Sequence, residues 1–478
     1  MVKYESVIGL EIHVALLTKS KFLCGCSTEF GAPPNSHCCP VCLGLPGSLP
    51  ILNKKAVEYG VRAGLALNCQ INPYSKFDRK NYFYPDLPKA YQITQDEFPI
   101  CGPGYIEYYY NGERTRTEIM RIHLEEEAGK LVHSGESIVH SDYSLVDYNR
   151  AGIPLIEIVT APDIHHPEQA RVFLEQLRLI LDYVGVSDCK MEEGSLRCDA
   201  NISLRPVGSS ALGTKVEIKN LNSFRALERA LDYEVYRQAK VLDQQGQILQ
   251  ETRTWDERSG KTVSMRSKAD APDYRYFPEP DLPPLKLKTA WIEEIKNSLP
   301  ELPLERLHRL MEQYKLSHYE ANFFVNYPDF NEIFEETAAL FPNVKMITNW
   351  LMGDYSRLAR EKGHLSPRSI AGLLEILDEG IISNNQGKEV LTEMFTTGKE
   401  AMTIVDEKGL RMVSDADALQ QVVETVLAEN ETLVKRFLDG ETRLFGFFIG
   451  QVMRKTEGKA NPEVVNELLK KQLESRRI

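Results

Sequence analysis

The stretch Leu155-Ile156-Glu157-Ile158-Val159 sets one carboxylate inside an otherwise unbroken apolar run. Such a run, rich in β-branched side chains, reads as a buried strand. A carboxylate buried there is strongly disfavoured unless it is paired or holds a metal. Two further strands repeat the intrusion. Gly9-Leu10-Glu11-Ile12-His13-Val14 places Glu11 and His13 two residues apart, so both leave the same face. In Ile122-His123-Leu124-Glu125-Glu126-Glu127, alternation puts Glu126 on the face of Ile122 and Leu124. Downstream, Arg197, Asp199 and Asn201 share one face of a strand-like segment, and Lys215, Glu217 and Lys219 share one face of the next. The turn-rich residues 206–214 make these two a hairpin. The expectation is one sheet face carrying Glu11, His13, Glu126, Glu157, Asp199 and Glu217. Oxygen ligands with one imidazole suit Mg²⁺ or Mn²⁺, which hold nucleotide phosphates. Each acid taken alone also reads as an ordinary paired charge, and residues 125–127 as a solvated acidic run. Recurrence in three strands brings a shared site level with that plainer reading.

Working outward, residues 52–67 have helical spacing, and residues 167–184 form an amphipathic helix with Pro167 near its start and Gly185 past its end. Strands outnumber the crossover helices that a parallel sheet needs, so the fold class is α+β with an antiparallel sheet and flanking helices. Pro278-Glu-Pro280-Asp-Leu-Pro283-Pro284 cannot be a helix interior, and beyond it the pattern is almost wholly helical. With 478 residues, more than one core is required. The divisions expected are 1–290, 291–406 and 407–478, the last boundary following a break near residues 406–412.

Hydrophobic residues at 42% and charged residues at 26% exclude disorder as the main state. No apolar run approaches the roughly 20 residues that span a bilayer, and the N-terminal residues lack signal-peptide character. A cytoplasmic protein without a membrane partner is expected. The net charge of −12 excludes nucleic-acid binding by bulk electrostatics. Residues 442–478 hold eight Lys/Arg against four Asp/Glu, a local basic patch. There, Arg454, Lys455 and Lys459 follow an apolar helix and could meet phosphate; spacing alone favours cations balancing the dipole of a helix end.

Of nine cysteines, four are arranged as Cys24-Gly-Cys26, twelve intervening residues, then Cys39-Pro-Val-Cys42. Two thiol pairs bridged by a short loop can close a tetrahedron around Zn²⁺, leaving no open position, so the metal would be structural. Phosphate-binding loops are absent: Gly208-Ser-Ser-Ala-Leu-Gly213-Thr-Lys215 has Thr and Lys in the wrong order, and no G-x-G-x-x-G or G-x-S-x-G is present. Any use of ATP must therefore run through metal and scattered basic residues. Lys76, Arg79 and Lys80, interleaved with Phe77, Tyr82, Phe83 and Tyr84, serve equally as a phosphate- and base-binding loop or as a packed aromatic one.

Several long motifs together resemble the B-subunit family of the bacterial tRNA-dependent amidotransferases. They are Val7-Ile-Gly-Leu-Glu11-Ile-His13-Val14, Phe77-Asp-Arg-Lys-Asn-Tyr-Phe-Tyr-Pro-Asp86, Lys190-Met-Glu-Glu-Gly-Ser-Leu-Arg-Cys-Asp-Ala-Asn201, Asp273-Tyr-Arg-Tyr-Phe-Pro-Glu-Pro280 and Ile449-Gly-Gln-Val-Met-Arg-Lys455. The resemblance covers essentially the whole chain. It implies an N-terminal catalytic cradle similar to glutamine synthetase and guanidino kinases, followed by helical domains. It implies ATP-dependent phosphorylation of the side-chain carboxylate of Glu on tRNA(Gln) or Asp on tRNA(Asn). Ammonia released from glutamine by a partner amidase (A) subunit then displaces the phosphate, and a small C subunit tethers the two. Carried onto this chain, the resemblance implies that His13, Glu126 and Glu157 hold Mg²⁺ with Glu11 nearby. It also makes Cys24, Cys26, Cys39 and Cys42 a zinc site and the C-terminal helices a tRNA-binding tail. Sheet geometry adds Lys80, Glu192, Asp199, Glu217 and Lys219 as candidate ATP contacts.

Two readings from other classes share parts of this pattern. A free-standing amide ligase of glutamine-synthetase type would use the same acids but leave the helical half without a role. A non-catalytic RNA-binding scaffold would explain the cysteine loop and the basic tail, but not acids in three apolar strands.

Overall fold

The computed structural model describes residues 4–135, 141–267, 273–412, 416–456 and 460–476. The chain divides into two compact units, Met1–Arg306 and Leu307–Ile478. An eight-stranded sheet organises the first. Its strands are β1 (Tyr4–Ala15), β2 (Gly104–Tyr110), β3 (Glu113–Glu126), β4 (Pro154–Thr160), β5 (Leu196–Pro206), β6 (Val216–Leu221), β7 (Glu251–Asp256) and β8 (Lys261–Ser267). They lie in the spatial order β8-β7-β6-β5-β1-β4-β3-β2.

Side-chain alternation gives the sheet one apolar and one polar face. Ile8, Leu10, Ile12 and Val14 of β1 and Ile156 and Ile158 of β4 are each at most 1% exposed. They share a core with three helices, α1 (Lys54–Ala66), α2 (Pro167–Tyr183) and α3 (Phe224–Asp243), which contribute Val61, Phe173, Leu177, Leu227 and Leu231. The helix ends follow capping chemistry. Asn53 accepts from the Lys55 and Ala56 amides, Ser223 accepts from the Ala226 amide, and Pro167 opens α2. The alternate residues of β1, β4, β5 and β6, among them Glu11, His13, Glu157, Asp199 and Glu217, leave the opposite face.

The sheet is mixed, not wholly antiparallel. β5 and β6 form the expected antiparallel pair, but β6 and β7 run parallel. A parallel pair needs a long crossover, and α3 supplies it with 20 residues. A count of strands does not show that α3 returns the chain in the same direction.

The proline-rich segment is not a linker. Phe277–Pro278 pairs with Asp78–Asn81, which pairs with Tyr91–Thr94, in a separate three-stranded ribbon. Leu282 and then Ile295, on the helix Thr289–Asn297, join the core of the first unit.

Among the described residues, the second unit contains helices only. Reciprocal capping boxes start two of them, Ser317 with Glu320 and Ser383 with Gln386. The helices Ala416–Glu429, Glu431–Leu438, Leu444–Lys455 and Pro462–Ser475 close around a core of their own that includes Leu419, Val423, Phe448, Val452 and Leu469. No helix among the described residues is long and apolar enough to cross a membrane.

Candidate active site and cysteine centre

Strand register brings the chemistry together. His13 on β1 stands opposite Glu157 on β4, and Glu157 stands opposite His123 on β3. Directly opposed residues project from the same face, so three side chains line up across three strands. Glu125, two residues beyond His123, joins them. One ligand atom each from His13, Glu125 and Glu157 lies within 4.8 Å of the others. Nε2 of His13 is 3.3 Å from Glu157 Oε2 and 3.5 Å from Glu125 Oε1. Nε2 of His123 is 3.2 Å from Glu157 Oε2 and 3.6 Å from Glu125 Oε2.

Burial works against charge throughout this cluster, and its internal bonds override burial. Despite desolvation, the bonds to Glu125 and Glu157 push His123 up to about 9. His13 is raised against the same opposition, chiefly by Glu157. Imidazole N–H donors hold both Glu125 and Glu157 below the usual carboxylate range. Among the described residues, the only cations within 4.0 Å of these two carboxylates are the two histidines. One buried and one half-buried carboxylate and an imidazole, with no lysine or arginine within 4.0 Å of the carboxylates among the described residues, form a donor set that fits Mg²⁺ or Mn²⁺.

Glu126 is not part of this cluster. It does lie on the Ile122 and Leu124 side, as alternation requires, but that side packs against the helices. Lys89 Nζ sits 2.5 Å from Glu126, and the Ile93 amide donates to it at 2.8 Å. Glu125 and His123 take the open face. The signal for both was the two-residue spacing from His123 to Glu125, which becomes decisive only once Glu157 is known to oppose His123.

The other expected residues divide likewise. Glu11 is on the open face, accepting from Asn201 Nδ2 at 2.9 Å. Lys219 pairs with Asp199 at 2.6 Å and with Glu217 at 3.0 Å. An open cleft of about 380 Å³ brings His13, Glu125 and Asp199 together with Lys80, Arg197 and Lys219. Lys80 lies 4.8 Å from the centre of the Tyr274 ring, and burial opposes its charge while Glu125 and Tyr276 favour it. Arg197, opposite His13 on β5, donates to both oxygens of buried Glu127 at 2.7 and 2.8 Å. Glu192 is exposed in the turn before β5 and is not among the residues that line the cleft.

The cysteine loop needs no register. The sulfurs of Cys24, Cys26, Cys39 and Cys42 lie within 4.8 Å of one another, and the Cys39 amide donates to Cys42 Sγ at 3.1 Å. The Cys42 thiol is held below its ordinary value, first by the bond from Cys24. Four soft donors gathered this tightly are compatible with a structural metal such as Zn²⁺. Cys38 stays outside the group. In the tail, Arg454 is exposed and Lys455 pairs with Glu429 at 2.5 Å; Lys459 lies outside the described residues.

A sheet face with a buried acid–imidazole cluster, joined to a helical unit with a separate terminal core, defines a class. Residues 6–293 match the family model of the GatB/GatE catalytic domain, and residues 332–473 match that of the GatB domain. Curated relatives extend the match over nearly the full length. The aspartyl/glutamyl-tRNA(Asn/Gln) amidotransferase B subunit of Thermoanaerobacter sp. (strain X514) is 53% identical, covering 98% of this chain and 99% of the relative. The protein of that name from Carboxydothermus hydrogenoformans is 53% identical over 99% of both chains. Its counterpart from Thermodesulfovibrio yellowstonii is 52% identical over 98% of both. The chain belongs to the family of aspartyl/glutamyl-tRNA(Asn/Gln) amidotransferase B subunits.

Proposed function

We propose that this chain is the subunit of a glutamine-hydrolysing, tRNA-dependent amidotransferase that activates the side-chain carboxylate of Glu on tRNA(Gln), of Asp on tRNA(Asn), or of both. The observation that carries this reading is the His13–Glu125–Glu157 cluster, whose His13 and Glu125 line a cleft together with Lys80, Arg197 and Lys219. A carboxylate is a poor acyl donor until one of its oxygens can leave. Transfer of the γ-phosphoryl group of ATP breaks its bond to ADP and forms an acyl phosphate. Ammonia then attacks the carbonyl carbon, loses a proton and expels phosphate, leaving the amide. The chain is on this reading part of a carbon–nitrogen ligase.

In that chemistry His13, Glu125 and Glu157 would hold Mg²⁺, which when bound offsets charge on the phosphate oxygens. Lys80, Arg197 and Lys219 offer cations to substrate and phosphate oxygens, while Asp199, Glu217 and Glu127 hold two of those cations in place. The open face works as a cradle of the glutamine-synthetase and guanidino-kinase type, which agrees with the missing Walker loop. The partners are an amidase (A) subunit releasing ammonia from glutamine, a small C subunit and the mischarged tRNA, with Arg454, Lys455 and Lys459 as phosphate contacts in the tail. Zn²⁺ in the cysteine loop is structural.

The test is a reconstitution with the amidase and small subunits, ATP, Mg²⁺, glutamine and Glu-tRNA(Gln). ADP release should track Gln-tRNA formation. Amidation of free glutamate without tRNA would replace this reading with a free-standing ligase; tight tRNA binding without ATP turnover would replace it with a scaffold.

A further inference from the structure

Lys21 is fully buried, yet among the described residues no carboxylate lies within 4.0 Å of its ammonium group. Among the described residues its Nζ bonds to Cys42 Sγ at 3.7 Å and to the Tyr148 carbonyl at 3.1 Å. Glu126, the nearby acid, is already held by Lys89. An isolated ammonium in such a place is strongly disfavoured. A dication bound by four thiolates carries a net charge of about −2, which is the compensation that Lys21 lacks.

The second contact leads towards the cleft. Tyr148 opens a turn that runs to Ile153, with Gly152 in left-handed backbone at φ +86. This turn is tied to the cysteine loop at several points. The Phe22 amide donates to the Gly152 carbonyl at 2.7 Å, Asn149 Nδ2 donates to the Pro33 carbonyl at 2.7 Å, and the His37 amide donates to Asn149 Oδ1 at 2.8 Å. On its other side the turn grips Glu127: the Gly152 amide donates to the Glu127 carbonyl at 2.9 Å, and Arg150 donates to its carboxylate at 3.1 Å. Glu127 in turn holds Arg197 at the cleft.

We propose that Lys21 is the counter-cation of the tetrathiolate metal centre and, through the Tyr148 carbonyl, one of the posts by which the loaded cysteine loop holds the 148–153 turn that grips Glu127 and, through it, Arg197. Lys21 is thus a positioning residue, and the loop is an electrostatic partner of the cleft as well as a staple. This inference does not depend on the substrate or on the reaction.

The experiment uses the full chain, loaded with Zn²⁺, as wild type, Lys21→Met and Lys21→Arg, and follows metal release to a chromogenic chelator. Lys21→Met should release zinc at least tenfold faster, with Lys21→Arg returning most of the loss. The decisive readout is a sign change in thermal melting. In the zinc-loaded protein Lys21→Met should lower the melting temperature, whereas in a Cys24→Ser/Cys39→Ser background the same change should raise it, because it removes an uncompensated buried cation. Equal losses in both backgrounds would make Lys21 a packing residue and overturn the proposal. So would a zinc release rate in Lys21→Met equal to that of wild type, a result that needs no cysteine variant to fold.

Discussion

The two donor clusters of the first unit are built in opposite ways. The cysteine centre draws all four sulfurs from residues 24–42 of one loop, while the acid–imidazole cluster takes His13, Glu125 and Glu157 from three strands separated by more than a hundred residues of chain between the first and second. A loop can hold a soft metal by itself because its donors are near in sequence and little chain entropy is lost in gathering them. The strand cluster exists only after the sheet has formed, and it gathers like charges that oppose one another until histidines or a metal intervene. One centre should therefore act mainly on stability and the other mainly on turnover.

The sharpest way to break that contrast is Glu157→Ala. In the reconstituted enzyme, tRNA-coupled ADP release should fall by about a thousandfold or more, while tRNA binding by filter retention stays within about twofold. Loss of tRNA affinity with retained turnover would move Glu157 out of the site. Next in size is the pair Glu125→Gln and Glu126→Gln. The first should reduce ADP release by about a hundredfold and weaken Mn²⁺ binding measured by electron paramagnetic resonance. The second should leave Mn²⁺ affinity within about threefold, since Glu126 lies on the helix side of the sheet. Reversal of that order would mean that the face assignment is wrong.

Cys39→Ser probes the other centre. Calorimetry should show the first unit melting roughly 5–10 °C lower, with zinc content lost. A comparable fall in Glu157→Gln would erase the distinction between the two centres. The smallest effect is expected in the helical unit. Glu320, bonded to Lys345 and to the Ser317 cap, is held down to about 2, chiefly by Lys345. A depressed carboxylate stabilises the fold above its ordinary value of 4.5 and loses that contribution as pH falls towards about 2. Glu320→Gln should cost about 1 kcal/mol at neutral pH and flatten the stability–pH curve across that window. An unchanged acid-unfolding profile would show that the pair contributes nothing.

How much of this was legible in advance differs by region. Spacing pointed to the four cysteines but left Cys38 as a possible fifth, which the geometry sets apart, and the intruding acids marked β1 and β4 as strands, with His13 and Glu157 on the face that carries the cluster. Reading β3 went astray at one step. Alternation placed Glu126 with Ile122 and Leu124, which is right, but nothing in that segment says which of its two faces meets the helices. The parallel β6–β7 pair and the proline-bearing strand Phe277–Pro278 were hidden for a similar reason: neither the direction of pairing across α3 nor the distant partner at Asp78–Asn81 is set by local spacing.

The chain's own pattern thus determined an α+β unit followed by helices, a four-thiol loop and a sheet with buried acids, because all of these follow from residue type and short-range period. Only the tertiary structure decided that Glu125 rather than Glu126 meets His13 and Glu157, and that His123 and Arg197 stand beside them. It alone left Lys21 buried against the cysteines. Cross-strand register and the burial of a face are properties of assembled strands, and a one-residue difference in phase sends a carboxylate to the opposite side of the sheet.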